Sequence, residues 1–141
     1  MSVIKTLNML QTNTTYPKYG LADRALNFAI NVAKFIDQLP YNKVLHEYCK
    51  QVIRSSASIG ANMEEADGAV SHRDFINKFA IARKEARETN YWFRLMLGSG
   101  LVKANIDKLQ SLIQEAREFV LILSSVINKV RKIDSDKKVP R

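Results

Sequence analysis

The sequence predicts an all-α fold, an antiparallel up-down four-helix bundle, and three observations carry that prediction. Apolar residues recur at three- and four-residue steps along four long segments, the period of a helix face. Only three prolines and five glycines interrupt the chain, and Pro40 and Pro140 fall outside the periodic segments. No segment shows the period-two alternation of a strand. With 141 residues there is room for one domain around one core.

The Thr/Asn run of residues 1–20, closed by Pro17 and Gly20, reads as a loosely ordered N-terminal arm. The bundle is expected over 21–131, and residues 132–141 read as a basic C-terminal tail. A first helix should run from Leu21 to Leu39 and stop before Pro40, whose ring cannot continue it. It carries two apolar stripes: Ala22, Ala25, Leu26, Ala29, Ala33 and Ile36 form one, and Leu21, Phe28, Val32, Phe35 and Leu39 the other. Two stripes exceed what one surface helix needs. A cover on two sides is expected.

The second helix should span Lys43 to Asp67, with Val44 or Leu45, Tyr48, Val52, Ile59, Met63 and Ala66 inward. Its middle is dense in Ser, Ala and Gly. Gly60 costs about 1 kcal/mol of helix propensity, which predicts a close neighbour there. Gly68 is the expected stop and Ser71 the expected N-cap of the third helix. That helix, His72 to Leu97, has a core arc of Phe75, Phe79, Ala82, Ala86, Thr89, Phe93 and Met96, and ends at Gly98 and Gly100. The fourth, Asn105 to Arg131, shows the cleanest period, from Ile106 and Leu109 through Phe119 to Val130, with Asn105 as N-cap.

Catalytic and metal chemistry find little support. A di-iron bundle needs Glu-x-x-His pairs, and none occurs. His46 precedes Glu47 without the second histidine of a zinc-protease helix, and His72 has no spaced partner. Ser55, Ser56 and Ser58 lack a nucleophile elbow. Cys49 is the only cysteine, so an internal disulfide is excluded. No catalytic residue, metal or other cofactor is predicted. The segments contain neither an apolar signal core nor a membrane-length apolar run, so a cytoplasmic protein is expected.

Charge is more informative. The net charge is +8, and residues 1–70 hold seven basic and six acidic side chains against fifteen and eight in residues 71–141. A basic half favours a polyanionic partner. On a helical wheel of the third helix, Arg73, Arg83, Lys84, Arg87, Tyr91 and Arg94 share an arc of roughly 100° opposite the core. Arg73, Arg83, Lys84, Arg87 and Arg94 are therefore the candidate nucleic-acid contacts. Spacing alone equally describes a solvated basic face. Beside the arc lie Ile81, Trp92 and Leu95, which with Phe28 and Phe35 of the first helix form the candidate surface for self-association. Glu64, Glu65, Glu85 and Glu88 read as ion-pair partners between adjacent helices.

One combination of residues resembles a known family. It comprises Ile53-Arg-Ser-Ser-Ala-Ser-Ile-Gly-Ala-Asn-Met-Glu-Glu-Ala66, Ser71-x-x-Asp-Phe75, Ile81-Ala-Arg-Lys-Glu-Ala-Arg-Glu-Thr89 and Tyr91-Trp92. The pattern is similar to the bacterial 23S ribosomal RNA intervening-sequence proteins, and it covers roughly residues 18–131. The resemblance implies a four-helix bundle assembled as a ring-like homopentamer and associated with RNA. A related branch, the accessory protein of diversity-generating retroelements, partners a reverse transcriptase and nucleic acid. It therefore implies a second possibility, an oligomeric scaffold for a protein partner such as a reverse transcriptase. The resemblance implies no catalytic residues. Its matching positions, Arg54, Asn62, Glu64, Glu65, Lys84, Glu85 and Glu88, are as easily structural as functional.

Overall fold

A computed structural model of the chain describes residues 20–138. The arm expected over 1–20 therefore lies, Gly20 apart, outside the described residues. Four helices follow in order: α1 Gly20–Asp37, α2 Lys43–Asp67, α3 His72–Ser99 and α4 Ile106–Lys137.

Local chemistry sets each boundary. Beyond Asp37, the N–H groups of Gln38 and Leu39 turn back onto the carbonyls of Phe35 and Ile36, so the chain tightens and leaves the helix just before Pro40. Asn42 then caps α2, its side-chain oxygen accepting from the N–H groups of Val44 and Leu45, both at 3.0 Å. At the other end Gly68 stops α2 in an ordinary backbone conformation, φ −92°. Ser71 caps α3 as expected, its hydroxyl accepting from the Asp74 N–H at 3.1 Å. The helix passes through Gly98 and ends at Gly100, which takes the left-handed φ of +69° that terminates helices well.

Two expectations about α4 are corrected. Asn105 precedes the helix, but its backbone is left-handed (φ 57°) and its side chain makes no capping bond. The expected tail is also shorter, because residues 132–137 continue the helix. No glycine or proline interrupts them, and the apolar period extends past Val130 to Ile133, which is half-buried. The Nδ1 atom of His72, at the start of α3, lies 2.6 Å from Asp134 and ties this last turn to the bundle.

Cross-helix pairs establish the direction of packing. Tyr48, Ser55 and Glu65 of α2 meet Trp92, Thr89 and Lys78 of α3, so one residue number rises as the other falls. His72, Arg83 and Asn90 of α3 likewise meet Asp134, Ser124 and Ile113 of α4. Both neighbouring pairs are antiparallel. α1 packs chiefly on α2 and meets α4 over a shorter stretch. The approach to α2 is close where Gly60 faces α1: a Cβ there would stand 3.3 Å from that of Ala25. The small-residue segment thus does accommodate a neighbour.

The core is aromatic at its centre. Phe28 of α1 meets Phe119 of α4 with ring centroids 5.4 Å apart, and Phe35 meets Phe93 of α3 at 6.3 Å. Full burial of each such ring contributes roughly 1.5–3 kcal/mol. This corrects the expectation that Phe28 and Phe35 face another subunit, because they are 0% and 3% exposed within the single chain. Their stripe covers the chain's own core. The first stripe is divided: Ala25 is buried against Gly60, whereas Leu26 is 56% exposed and Ala33 is exposed.

Candidate nucleic-acid interface

The carboxylates of α3 turn toward α2. Arg54, near the middle of α2, reaches Glu85 at 3.2 Å and also bonds Glu88. The hydrogen bond to Glu88 raises the Arg54 guanidinium above its ordinary value. For Glu88, burial opposes ionisation, but the bonds from Arg54 and from the Trp92 indole N–H outweigh it and hold the carboxyl below the usual range. A third bridge, Lys78 to Glu65, joins the same two helices. The predicted inter-helix role of Glu65, Glu85 and Glu88 is thus present, with Arg54 and Lys78 as partners.

Glu115 and Glu118 of α4 turn the other way, toward α1. Both pair with Arg24, whose guanidinium also stands over the Phe119 ring at 5.2 Å. Each of α3 and α4 thus places a pair of carboxylates on its flank away from the other. Across the seam between α3 and α4 the bonded carboxylate is Asp134, held by His72 at one end, and arginines line the rest.

The predicted basic arc divides along this seam. Arg83 is half-buried and donates to the Ser124 hydroxyl of α4 at 3.3 Å, which fixes the α4 side of the arc. Arg87 and Arg94, four and eleven residues further on, share that side and are exposed. Arg94 donates through Nε to the Asn90 carbonyl oxygen at 2.9 Å, while the Asn90 amide donates to the Ile113 backbone carbonyl at 3.0 Å. Arg73, Lys84 and Tyr91 lie further round the outer crest and are exposed.

Two residues outside the candidate contacts stand on the facing helix. Arg117 and Arg131 stand one heptad either side of Ser124 on α4, so they share the face that meets Arg83. Both are exposed. The heptad spacing Arg117, Ser124, Arg131 was visible in the sequence; the helix it would face was not. Among the described residues, no carboxylate pairs with Arg83, Arg87, Arg94, Arg117 or Arg131.

The apolar candidates beside the arc are more mixed. Ile81 is 41% exposed, whereas Trp92 and Leu95 are half-buried. The Trp92 ring lies between Tyr48 and Tyr91, at centroid distances of 5.9 and 5.4 Å. Elsewhere, a cavity of about 290 Å³ opens between the α1–α2 and α3–α4 loops. Lys103 is the one charged residue of its lining, which contains no carboxylate, thiol or imidazole. The Cys49 thiol is buried, which pushes it above its ordinary value and away from nucleophilic use.

The helix order, the small-residue α2 segment and the Arg54 bridges occur within a recognised pattern. The model of the 23S rRNA-intervening sequence proteins matches residues 18–125. The chain belongs to the 23S rRNA-intervening sequence protein family. It is also similar to the crystal structure of a protein of unknown function from the S23 ribosomal protein family of Bacteroides thetaiotaomicron. The two are 36% identical, with a TM-score of 0.67, over 75% of this chain and 96% of that one. No curated protein matches the chain. In this member of the 23S rRNA-intervening sequence family, the matched region holds the arc and Arg117, whereas Arg131 lies beyond it. Among the described residues no helix is long and apolar enough to cross a membrane.

Proposed function

We propose that this protein is a non-catalytic, cytoplasmic, homo-oligomeric bundle that binds nucleic acid, ribosomal RNA foremost, through the α3–α4 seam. The observation carrying this reading is the separation of charge. Arg54 and Arg24 draw the carboxylates of α3 and α4 to opposite flanks, and five arginines remain along the shared seam. An array of arginines without carboxylate partners attracts phosphate, and each phosphate neutralised releases bound counterions. The family's name, which refers to 23S ribosomal RNA, supports RNA as the first ligand to test.

Self-association is proposed through the opposite side of the molecule. Leu26 and Ile30 of α1 are 56% and 41% exposed. Ile53, one heptad before Gly60 on the α2 edge that meets α1, is 48% exposed. Such a patch favours cover by a second copy of the chain. A closed ring would repeat the arginine seam and add avidity.

The deciding experiment is RNA binding by the combined variant Arg83→Ala, Arg87→Ala, Arg94→Ala. Affinity should fall, and the slope of log K against log salt should flatten by roughly three. Unchanged binding and slope would remove the seam from consideration.

A further inference from the structure

Resting on that reading of the seam, we infer that its ligand is a nucleic-acid duplex gripped by both phosphate strands, without regard to base sequence. Three features lead there.

The arginines form two rows. Arg83, Arg87 and Arg94 belong to α3, and Arg117 and Arg131 to α4, with Arg83 bonded across to Ser124 between the α4 pair. At about 1.5 Å per residue the rows extend roughly 16 and 21 Å. Packed helices place their axes about 8–10 Å apart. Two cationic rows on neighbouring helices can meet two phosphate strands that face each other across a groove. A single strand would offer phosphates to one row and leave the other unused.

The polar side chains that stand between the two rows are already occupied. Asn90 uses its amide on the Ile113 carbonyl and its oxygen on Arg94, and the Ser124 hydroxyl accepts from Arg83. With the arginines engaged on phosphates, readout between the rows would fall to such amides and hydroxyls. Here they hold the helices together.

A stacking platform for unpaired bases is also poorly provided. Single-strand binders offer successive exposed aromatic rings. Along this face Tyr91 is the exposed ring, a single one, packed against Trp92 at 5.4 Å. The Trp92 indole N–H is committed to Glu88. What remains available is charge on two adjacent helices.

Fluorescence anisotropy with four labelled probes tests this: two RNA duplexes of unrelated sequence and roughly 16 base pairs, one of their single strands, and a DNA duplex of equal length. The RNA duplexes should bind within about threefold of each other and at least about tenfold tighter than the strand. The variant Arg117→Ala, Arg131→Ala removes the α4 row alone. It should lower the duplex salt slope by about two and bring duplex and strand affinities together. Equal binding of the DNA duplex assigns the grip to the paired phosphate strands of any duplex, whatever its groove width, and an RNA preference assigns it to A-form geometry. A duplex preference below about threefold, or a larger difference between the two RNA sequences, overturns the inference while the seam remains a nucleic-acid site. Absence of binding to every probe overturns the seam's proposed function as well.

Discussion

The Arg54 guanidinium of α2 lies 3.2 Å from the Glu85 carboxylate of α3 and bonds Glu88 one turn further along. Glu85 is nearly buried while Arg54 is half-exposed, so the pair straddles the boundary between core and solvent. The arrangement joins α2 to α3 and also keeps α3's central carboxylates away from α4. The same residue thus contributes to register and to the field along the seam.

Removing Arg54 should therefore have a pH signature. Arg54→Met leaves Glu85 without its ionic partner in a nearly buried position, at a cost of about 2 kcal/mol. Glu88 is held below its ordinary range. Its stabilising contribution is complete above the unfolded value of about 4.3, and is lost as pH falls through the lowered folded value. Urea unfolding of wild type and variant should differ most near neutrality and converge in acid. A gap independent of pH would show that the loss is one of packing.

The buried hydroxyls between α2 and α3 offer a second test. Thr89 donates to the Glu85 carbonyl at 2.9 Å, which makes Ser55 the donor to Thr89 at 2.8 Å. Thr89→Val leaves Ser55 with the Val52 carbonyl at 3.4 Å as its acceptor. The single variant should cost about 1–2 kcal/mol, and Ser55→Ala combined with it should cost less than the two separate losses added together. Strict additivity in chemical denaturation would show that the hydroxyl pair contributes nothing.

The two stripes of α1 should respond differently to substitution. Phe28→Ala opens a cavity in the chain's own core and should lower stability by about 3–5 kcal/mol. Leu26→Glu alters an exposed position, so thermal unfolding of the chain should change little. Light scattering should report a smaller particle for Leu26→Glu than for wild type. An unchanged particle would exclude the α1 face as the site of self-association.

Much of the fold was legible because its signals are local. Ser71 three residues before Asp74, Pro40 after the first apolar stripe and Gly100 after the third helix each act on the nearest turn of backbone. Gly60 was legible as an oddity, and its explanation came from α1, at Ala25. Asn105 shows the reverse case. Its residue type suits a cap, but the loop holds it in a left-handed conformation that its side chain does not use for capping.

The candidate site was half legible. Arg83, Arg87 and Arg94 stood out because they share one helix face, which periodicity reveals. Arg117 and Arg131 became part of the same surface once Ser124 was found beside Arg83. By itself the sequence determined the four helices, the Ser71 cap and the existence of a basic arc on α3. Those features depend on residues within a turn or two of each other. Tertiary structure decided which stripe of α1 is core, with Phe28 and Phe35 inside and Leu26 outside, and which helix lies beside the arginines. A repeat along one helix specifies a face, and its neighbour is chosen by how all four faces pack together.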